Sequence, residues 1–425
     1  MQSGSFRGNI MKKKIFVRFI LITLFQVTLF AQEVEQPLSK QSRDPSVKLL
    51  PDIFLNADFS GVYRNLDQDQ FDNLSIPGFG DAGFYSETLN PLKGFNFNYA
   101  ELGMYSVVDP FFDLFATFHL TVSTFEIEEA YVRTLRLPGN LQLKFGKFLS
   151  SFGRLNEVHA HAWDFSDQPL VYHSFWGAEN LNEMGTRFTW LMPVPFYLLT
   201  GIEALTGNND VSFGATGFSD PGNNNTVDNG MFPGIYIGYL KSSFDIGDLV
   251  VLTGFSGARG TMRIDHDIVS PGGSGIYGDS SLFGADLTLK WIISSVKSLT
   301  WQSEFIYRYV DGSEYLNNGM KQSYMANQSG LYSQLVFQIS KTWKTGIRYD
   351  LLQKNQVVAG IFNRRYPQNM SRYTPMIEYS PSEFSRFRLQ YSYDQSGYEG
   401  SSRLINQQVA LNANFNIGSH RAHSF

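Results

Sequence analysis

Polar and apolar residues alternate with a period of two along most of the chain after residue 50. In 408-QVALNANFNI-417 the odd positions are all apolar, whereas four of the five even positions are Gln or Asn. A helix would mix these two sets on its surface, but a strand places them on opposite faces. The pattern therefore predicts a β-strand here, and it predicts others in segments such as 299-LTWQSEFIYRY-309 and 343-WKTGIRYDL-351.

The same alternation predicts about sixteen strands. They are expected near residues 52–64, 95–107, 111–122, 125–136, 139–148, 183–192, 195–205, 234–243, 247–258, 279–293, 297–310, 328–340, 342–352, 370–380, 383–394 and 403–417. Most are longer than the 5 or 6 residues typical of soluble sheets. A tilted strand that crosses a membrane needs about 10 residues, and these segments satisfy that requirement.

The connections between the predicted strands differ in length in a regular way. Tight turns such as 108–110, 137–138 and 193–194 alternate with long loops at 65–94, 149–182, 206–233, 259–278, 311–327 and 353–369, and the short links near Ser123 and Gly397 are the exceptions. A soluble β-sandwich has no reason to sort its connections in this manner. The sorting favours an all-β, antiparallel up-and-down transmembrane barrel with short periplasmic turns and long external loops in a bacterial outer membrane.

Aromatic residues agree with a membrane barrel. Trp190, Trp291, Trp301, Trp343 and Tyr379 adjoin short turns, and several tyrosines, such as Tyr307 and Tyr391, lie toward the loop ends. Two aromatic girdles are expected where a barrel meets the two interfaces of the lipid bilayer.

The first residues predict export. Lys12, Lys13, Lys14 and Arg18 precede the apolar run 19-FILITLFQVTLF-30, and Ala31 supplies a small residue for cleavage. We predict a signal peptide over 1–31 (translation starting at Met11 is an alternative), a short periplasmic segment over 32–51 and a barrel over 52–425. The terminal Phe425 predicts recognition by the barrel assembly machinery.

Composition narrows the classes of function. The net charge of −5 and the lack of a dense basic run in the mature part argue against a nucleic-acid partner. The absence of cysteine excludes thiolate catalysis and Cys-ligated zinc. An enzyme is not predicted, although His119 and the nearby Ser123 are the candidate pair for a barrel hydrolase.

Strand parity predicts which charges line the lumen. One set is basic and comprises Lys290, Arg308, Lys344, Arg348, Arg372, Arg386 and Arg388, and the other is acidic and comprises Asp286, Glu304, Asp350, Glu378 and Asp394. The small basic excess predicts at most a weak anion preference. The fourth strand is ambiguous, since Glu126 and Glu128 have the opposite parity to Glu129.

Histidines cluster in the loop after the fifth strand. Three of the seven in the chain, His159, His161 and His173, lie close together, with Asp164 and Asp167 between them. Nitrogen and carboxylate ligands suit Zn²⁺ or a similar divalent ion, and the three histidines are the candidate ligands. The alternative is that these residues only hold the loop in place by hydrogen bonds. His420 and His423 raise the same question at the periplasmic end.

Two blocks resemble a known family. The run 145-FGKFLSSFGRLNEVHAHAWDFSDQPLV-171 and the ending 417-IGSHRAHSF-425 contain the patterns GK…FGxxNxxHxH…DxPLV and HxAHxF. They are similar to bacterial outer-membrane proteins commonly labelled as porins or zinc-regulated outer-membrane receptors. The resemblance extends to 127-IEEAYVRTLRLPGNLQLK-144, which precedes the first block, is close over about a quarter of the chain and implies an outer-membrane barrel. The receptor label also implies a plug, for which residues 32–51 give no room.

We therefore expect a porin-like channel for passive diffusion of small solutes or ions, with a divalent metal ion as one candidate solute and no resident cofactor except a candidate Zn²⁺. The 149–182 loop is expected to fold inward, so that Arg154, His159, His161, Asp164 and Asp167 act as constriction groups beside the wall charges. The alternative is a receptor or adhesion barrel that does not conduct.

Overall fold

Sixteen long strands form the body of the molecule. The computed structural model describes residues 51–81, 83–86, 89–209, 211–222 and 225–418. Numbered in chain order, the strands are β1 Asp52–Arg64, β2 Gly94–Val107, β3 Phe112–Leu120, β4 Phe125–Thr134, β5 Leu141–Leu149, β6 Asn182–Leu191, β7 Tyr197–Leu205, β8 Ile235–Ile246, β9 Leu249–His266, β10 Ser274–Ile292, β11 Ser298–Leu316, β12 Lys321–Gln338, β13 Trp343–Ala359, β14 Met370–Ser382, β15 Ser385–Asp394 and β16 Asn406–Gly418.

The remaining elements are short. Two α-helices lie in loops, α1 at Gln68–Asp72 and α2 at Leu170–Trp176, and 3-10 turns occur at Pro138–Asn140, Leu155–Glu157 and Ala160–Ala162. The loops also contain short strands at Phe218–Asp220, Asn225–Val227, Phe362–Arg364, Tyr398–Glu399 and Ser402–Arg403. In the described ranges, no helix combines the length and apolar character needed to cross a membrane.

The sheet closes on itself. Each long strand pairs antiparallel with the next, and β1 also pairs with β16 in a register that places Asp58 opposite Asn414. Closure removes the unpaired edges that an open sheet would expose, so the backbone polar groups of the wall are satisfied within the wall.

Apolar side chains cover the outside of this barrel. Phe255, Phe283, Ile347 and Leu411 are each half exposed or more. Their neighbours in sequence with the opposite parity, such as Asp286, Arg348 and Asn412, are buried. A closed barrel with an apolar outer face and a polar inner face is an outer-membrane β-barrel.

The number and order of the predicted strands are confirmed, but five of the strands are longer than predicted. Strands β9 to β13 contain 17 to 19 residues and reach beyond the predicted ends on the long-loop side. The predicted long loops at 259–278 and 311–327 are therefore largely strand, and the predicted 353–369 loop begins as strand up to Ala359. Alternation did not reveal these extensions because both faces of a strand are polar where it projects beyond the membrane.

A β-bulge resolves the ambiguous parity of β4. The register pairs Thr117 with Glu129 and Phe118 with Ile127, so Glu128 is an additional residue without a partner on β3. A bulge resets the alternation of faces along the strand. Consequently Glu126, which pairs with His119, and Glu129 fall on the same, inner face despite their opposite parity.

The largest apolar core lies inside the barrel, where three external loops meet. Phe79 of the 65–93 loop packs edge-on against Phe175 of α2, with ring centroids 5.5 Å apart. Trp176 stacks on Phe213 of the 206–234 loop at 6.3 Å. All four side chains are buried. We call residues 150–181, which contain α2 and connect β5 to β6, the inner loop.

Candidate functional site: the inner loop and its anchors

Glu304 on β11 is the central anchor of the inner loop. Its carboxylate accepts hydrogen bonds from the backbone N–H groups of Arg154 (2.7 Å) and Leu155 (2.9 Å) and from the hydroxyl of Tyr172 (2.7 Å). The hydroxyl of Tyr332 on the neighbouring wall strand also donates to it. Hydrogen bonds to a buried charge are stronger than neutral ones, so this wall carboxylate holds the two ends of the loop's folded part together.

Gly153 is required where the loop meets Glu304. Its backbone φ is +69°, and an added Cβ would lie 2.5 Å from the Glu304 carboxylate and 2.6 Å from the Tyr172 hydroxyl. Any other residue would be strained there and would displace the anchor. This contact gives a physical reason for the glycine in the block 152-FGRLNEVHAH-161.

A second anchor holds the beginning of the loop against β6 to β8. Glu157 accepts from Arg187 at 2.9 Å and from Lys241 at 2.6 Å, and Arg187 also binds Glu203 at 2.7 Å. Burial raises the pKa of Glu157, but Lys241 and Arg187 outweigh it and hold the pKa below its ordinary value. Glu157 is therefore charged and ties the loop to this part of the wall.

A third anchor lies on the opposite wall at β13 and β14. Asp167 of the loop pairs with Arg348 at 3.0 Å and with Arg372 at 2.9 Å. Asp350 accepts the N–H of Leu170 at 3.0 Å, which places a carboxylate at the first residue of α2.

Two further arginines bind loop carbonyl groups. Arg386 donates to the carbonyl of His161 at 2.5 Å, and Arg388 donates to the carbonyl of Trp163 at 2.8 Å. Glu378 lies 2.8 Å from Arg388 and compensates its charge. These wall arginines, predicted to line the lumen, contact the inner loop there.

Apart from His159 and His161, which are described below, the predicted pore residues fall into two groups. One group anchors the inner loop and comprises Asp167, Arg348, Arg372, Arg386, Arg388, Glu304 and Glu378. Arg308 has a similar role for the 206–234 loop, because its guanidinium donates to the carbonyl of Val211 at 2.8 Å. The other group lines a cavity of about 270 Å³ between the inner loop and the wall and includes Arg154, Asp164, Lys290 and Lys344.

This cavity lies toward the periplasmic end of the barrel. Its wall residues Thr288, Ser298 and Gln338 are next to the short turns that end β10 and β12. Lys344 bridges Asp164 at 3.0 Å and Glu378 at 3.3 Å at its edge. The cavity is thus a chamber below the loop, lined by both charged and apolar side chains.

His159 and His161 lie on the side of the inner loop that faces β2 and β4. His161 Nδ1 is 2.7 Å from one oxygen of Glu101, and His159 Nε2 is 2.8 Å from Glu129. His159 Nδ1 is 3.3 Å from Glu128 and 3.5 Å from the other oxygen of Glu101. We call Glu101, His159 and His161, with the flanking Glu128 and Glu129, the histidine–glutamate cluster.

The electrostatics of this cluster are dominated by its carboxylates. Burial alone lowers the pKa of His159, but Glu128 and Glu101 outweigh it and hold the pKa well above its ordinary value. A cation is therefore favoured at this position, either as a proton on His159 or as a metal ion.

His173 corrects the predicted three-histidine grouping. It lies on α2, where Nε2–H donates to the carbonyl of Phe84 at 2.8 Å and Nδ1 is 3.3 Å from Gln168. Burial lowers the pKa of His173 to about 4. Because both ring nitrogens are used locally, His173 joins the inner loop to the 65–93 loop and does not belong to the histidine–glutamate cluster.

The candidate hydrolase pair is not assembled. The ring of His119 packs edge-on against Tyr99 at 5.1 Å, and the hydroxyl of Ser123 pairs with Thr121. Among the described residues, no hydrogen bond joins His119 to Ser123.

Sequence reasoning missed the glutamates around the histidines. Glu101 was not singled out, and Glu128 and Glu129 were noted only for their conflicting parity. That conflict was the available signal, since acidic residues on both faces of one strand indicate a bulge with a local purpose.

The fold and the anchored loop define an outer-membrane β-barrel with an internal loop. An uncharacterised protein of Aquifex aeolicus is 42% identical over 378 residues, which cover 88% of this chain and 80% of that protein. The chain belongs to the same family as this protein. No model of a described protein family matches it.

Solved outer-membrane proteins resemble the chain more distantly. OmpT of Vibrio cholerae shares 11% identity at a TM-score of 0.49, covering 86% of this chain and 97% of that one. The channel DcaP of Acinetobacter baumannii shares 10% at a TM-score of 0.49, covering 87% and 98%. An anion-selective porin from Comamonas acidovorans shares 10% at a TM-score of 0.45, covering 86% and 99%. No role for this chain follows from these likenesses.

Proposed function

We propose that this protein is an outer-membrane channel for passive diffusion of small solutes or ions, and that the inner loop limits the passage. The observation that carries the proposal is the chamber below the loop, in which the charged residues Lys290, Lys344, Arg154 and Asp164 line about 270 Å³ of space inside a closed barrel. A barrel that serves only as an anchor has no need for charged groups around an internal chamber.

The anchors support a limiting role for the loop. Glu304, Glu157 and Asp167 tie it to three different parts of the wall, so it crosses the lumen rather than lying on one side. We assign selection by size and charge to the space between the loop and the wall, where Arg154, Asp164 and Lys344 line the chamber. A divalent metal ion is one candidate solute because carboxylates and histidines face the lumen near β2 and β4.

One observation favours a second function. The apolar contacts of Phe79, Phe175, Trp176 and Phe213 join three loops into a common core across the lumen. A receptor whose loops bind a ligand would also use such a core, and its barrel would not conduct.

Conductance of the purified protein in planar lipid bilayers distinguishes the two functions. A channel gives discrete current steps in KCl, and these should be small because the loop lies in the lumen. A receptor barrel stays silent. As a matched control, Arg259→Ala removes an exposed basic residue near the external end of β9, paired with Asp279 at 3.3 Å, and should leave the steps unchanged.

A further inference from the structure

We infer that the histidine–glutamate cluster is a binding site for one divalent transition-metal ion of the Zn²⁺ class, held by His159, His161 and Glu101 between the inner loop and the barrel wall. One ligand atom from each of these three residues lies within 4.8 Å of the others. The site stands independently of whether the barrel conducts.

Unsatisfied buried atoms point to a ligand at this position. Glu101 Oε1 and His159 Nδ1 are both buried and have no hydrogen-bond partner among the described residues. The side chain of Glu101 is only 3% exposed. A buried carboxylate oxygen without a partner is costly, and a metal ion between these two atoms would satisfy both.

The spacing of the atoms fits tetrahedral coordination. Ligands of a tetrahedral zinc ion at about 2.1 Å from the metal are about 3.4 Å from one another. His159 Nδ1 is 3.5 Å from Glu101 Oε1 and 3.3 Å from Glu128 Oε1. Glu128 is thus placed to supply a fourth ligand, and His161 Nδ1 needs only to exchange its hydrogen bond with Glu101 for a bond to the metal.

Glu129 orients His159 for this role. His159 Nε2–H donates to Glu129 Oε2 at 2.8 Å, which leaves the lone pair of Nδ1 directed at the proposed ion. Metal-binding histidines commonly donate their second ring nitrogen to a carboxylate, because the contact fixes the tautomer and strengthens the ligand. The bulge at Glu128 is what brings Glu128 and Glu129 to the same histidine.

The ligands come from a wall strand and from the inner loop, so a bound ion would join the two. Glu101 belongs to β2, and His159 and His161 belong to the inner loop, where His159 precedes the 3-10 turn Ala160–Ala162 and His161 is its middle residue. The bound ion would therefore fasten the loop to the wall at β2, a part of the barrel separate from the Asp167 anchor at β13 and β14. A proton on His159, forming ion pairs with the carboxylates, is the competing arrangement.

Isothermal titration with ZnCl₂ tests the site. The full-length protein is purified in detergent without a histidine tag, treated with EDTA and desalted. We expect one Zn²⁺ per chain. Glu101→Gln, His159→Asn and His161→Asn should each weaken binding by more than about 100-fold, and Glu129→Gln should weaken it by about 10- to 100-fold, as for loss of an orienting carboxylate.

Two controls use other histidines of the chain. His266→Asn changes a histidine that pairs with Asp81 in the external loops, at 2.9 Å, and should bind Zn²⁺ as the unchanged protein does. The double variant His420→Asn and His423→Asn should also retain the site. Loss of binding in this double variant, with full binding retained in His159→Asn, would overturn the proposal.

X-ray absorption at the zinc edge covers the case in which variants fail to fold, since it needs only the unchanged protein. We expect imidazole nitrogen and carboxylate oxygen ligands at about 2.0 to 2.2 Å. A spectrum of hydrated zinc without imidazole, or no Zn²⁺ uptake by the folded protein, would show that the cluster is a protonated ion-pair network.

Discussion

Tyr172 of α2 donates a 2.7 Å hydrogen bond to Glu304 of β11, and both side chains are buried inside the barrel. The same carboxylate accepts hydrogen bonds from the backbone N–H groups of Arg154 and Leu155. One wall residue thus fixes both the first turn of the inner loop and its helix.

Replacing Glu304 by Ala should release the inner loop. Two backbone N–H groups and two tyrosine hydroxyls would lose their acceptor, which should lower the free energy of unfolding by at least about 3 kcal/mol. Removal of the charge next to Asp286, its register partner on β10, offsets part of this loss. Urea unfolding in detergent and limited proteolysis of the loop measure the effect.

The control for this variant is Asp279→Ala, which removes an exposed carboxylate near the external end of β10. It should unfold at the same urea concentration as the unchanged protein. Equal stability of Glu304→Ala would show that the anchor contributes nothing.

Acid should loosen the contact between the inner loop and the 65–93 loop. The folded pKa of His173 is about 4, below its ordinary value of 6.5, so the folded state favours neutral His173. The stabilisation is fully present above pH 6.5 and is lost as pH falls through 4, amounting to about 3 kcal/mol. Asp167, Asp394 and Arg372 face the same small cavity as His173, and Arg372 opposes its protonation.

Hydrogen exchange of the inner loop at pH values from 7.5 to 4 measures this dependence, after correction for the intrinsic effect of pH on exchange. His173→Gln keeps a donor toward the carbonyl of Phe84 but cannot take up a proton, so its protection should vary less with pH. Identical profiles for the two proteins would exclude His173 as the titrating group.

Lys344 should influence ion selectivity. Its ammonium group lies between Asp164 and Glu378 at the edge of the periplasmic chamber, and Lys344→Gln would leave these carboxylates less compensated. The current should shift toward cations, which the reversal potential in a KCl gradient reports. The matched control is Arg259→Gln, which changes an exposed residue near the external end of the barrel. It should not change the reversal potential.

Much of the architecture could be predicted because a membrane barrel imposes a period of two on its wall. The order and number of the strands could be predicted from alternating segments such as 408-QVALNANFNI-417. In these segments every second side chain is apolar because it faces the lipid. The period fails at Glu128, where the bulge adds a residue, and at the external ends of β9 to β13, where water surrounds both faces.

The site was less predictable, since its contacts join residues far apart in sequence. Glu304 and Tyr172 are 132 positions apart, and Glu101 and His161 are 60 positions apart. The clustering of His159 and His161 left two interpretations, a metal site or hydrogen bonds that hold the loop, because their partners depend on which part of the wall the loop meets. His173, grouped with them by proximity in sequence, points elsewhere because α2 turns it toward Phe84. The predicted signal segment, His420, His423 and Phe425 lie outside the described residues.

Removal of the inner loop is the measurement that bears most directly on its role in the channel. Leu149 and Asn182 are register partners, so a four-residue Gly-Ser linker can replace residues 152–179 without disturbing β5 or β6. Single-channel conductance in KCl should be small for the unchanged protein and several-fold larger for the shortened one. Silence of both proteins, or equal steps from both, would refute a channel limited by the inner loop.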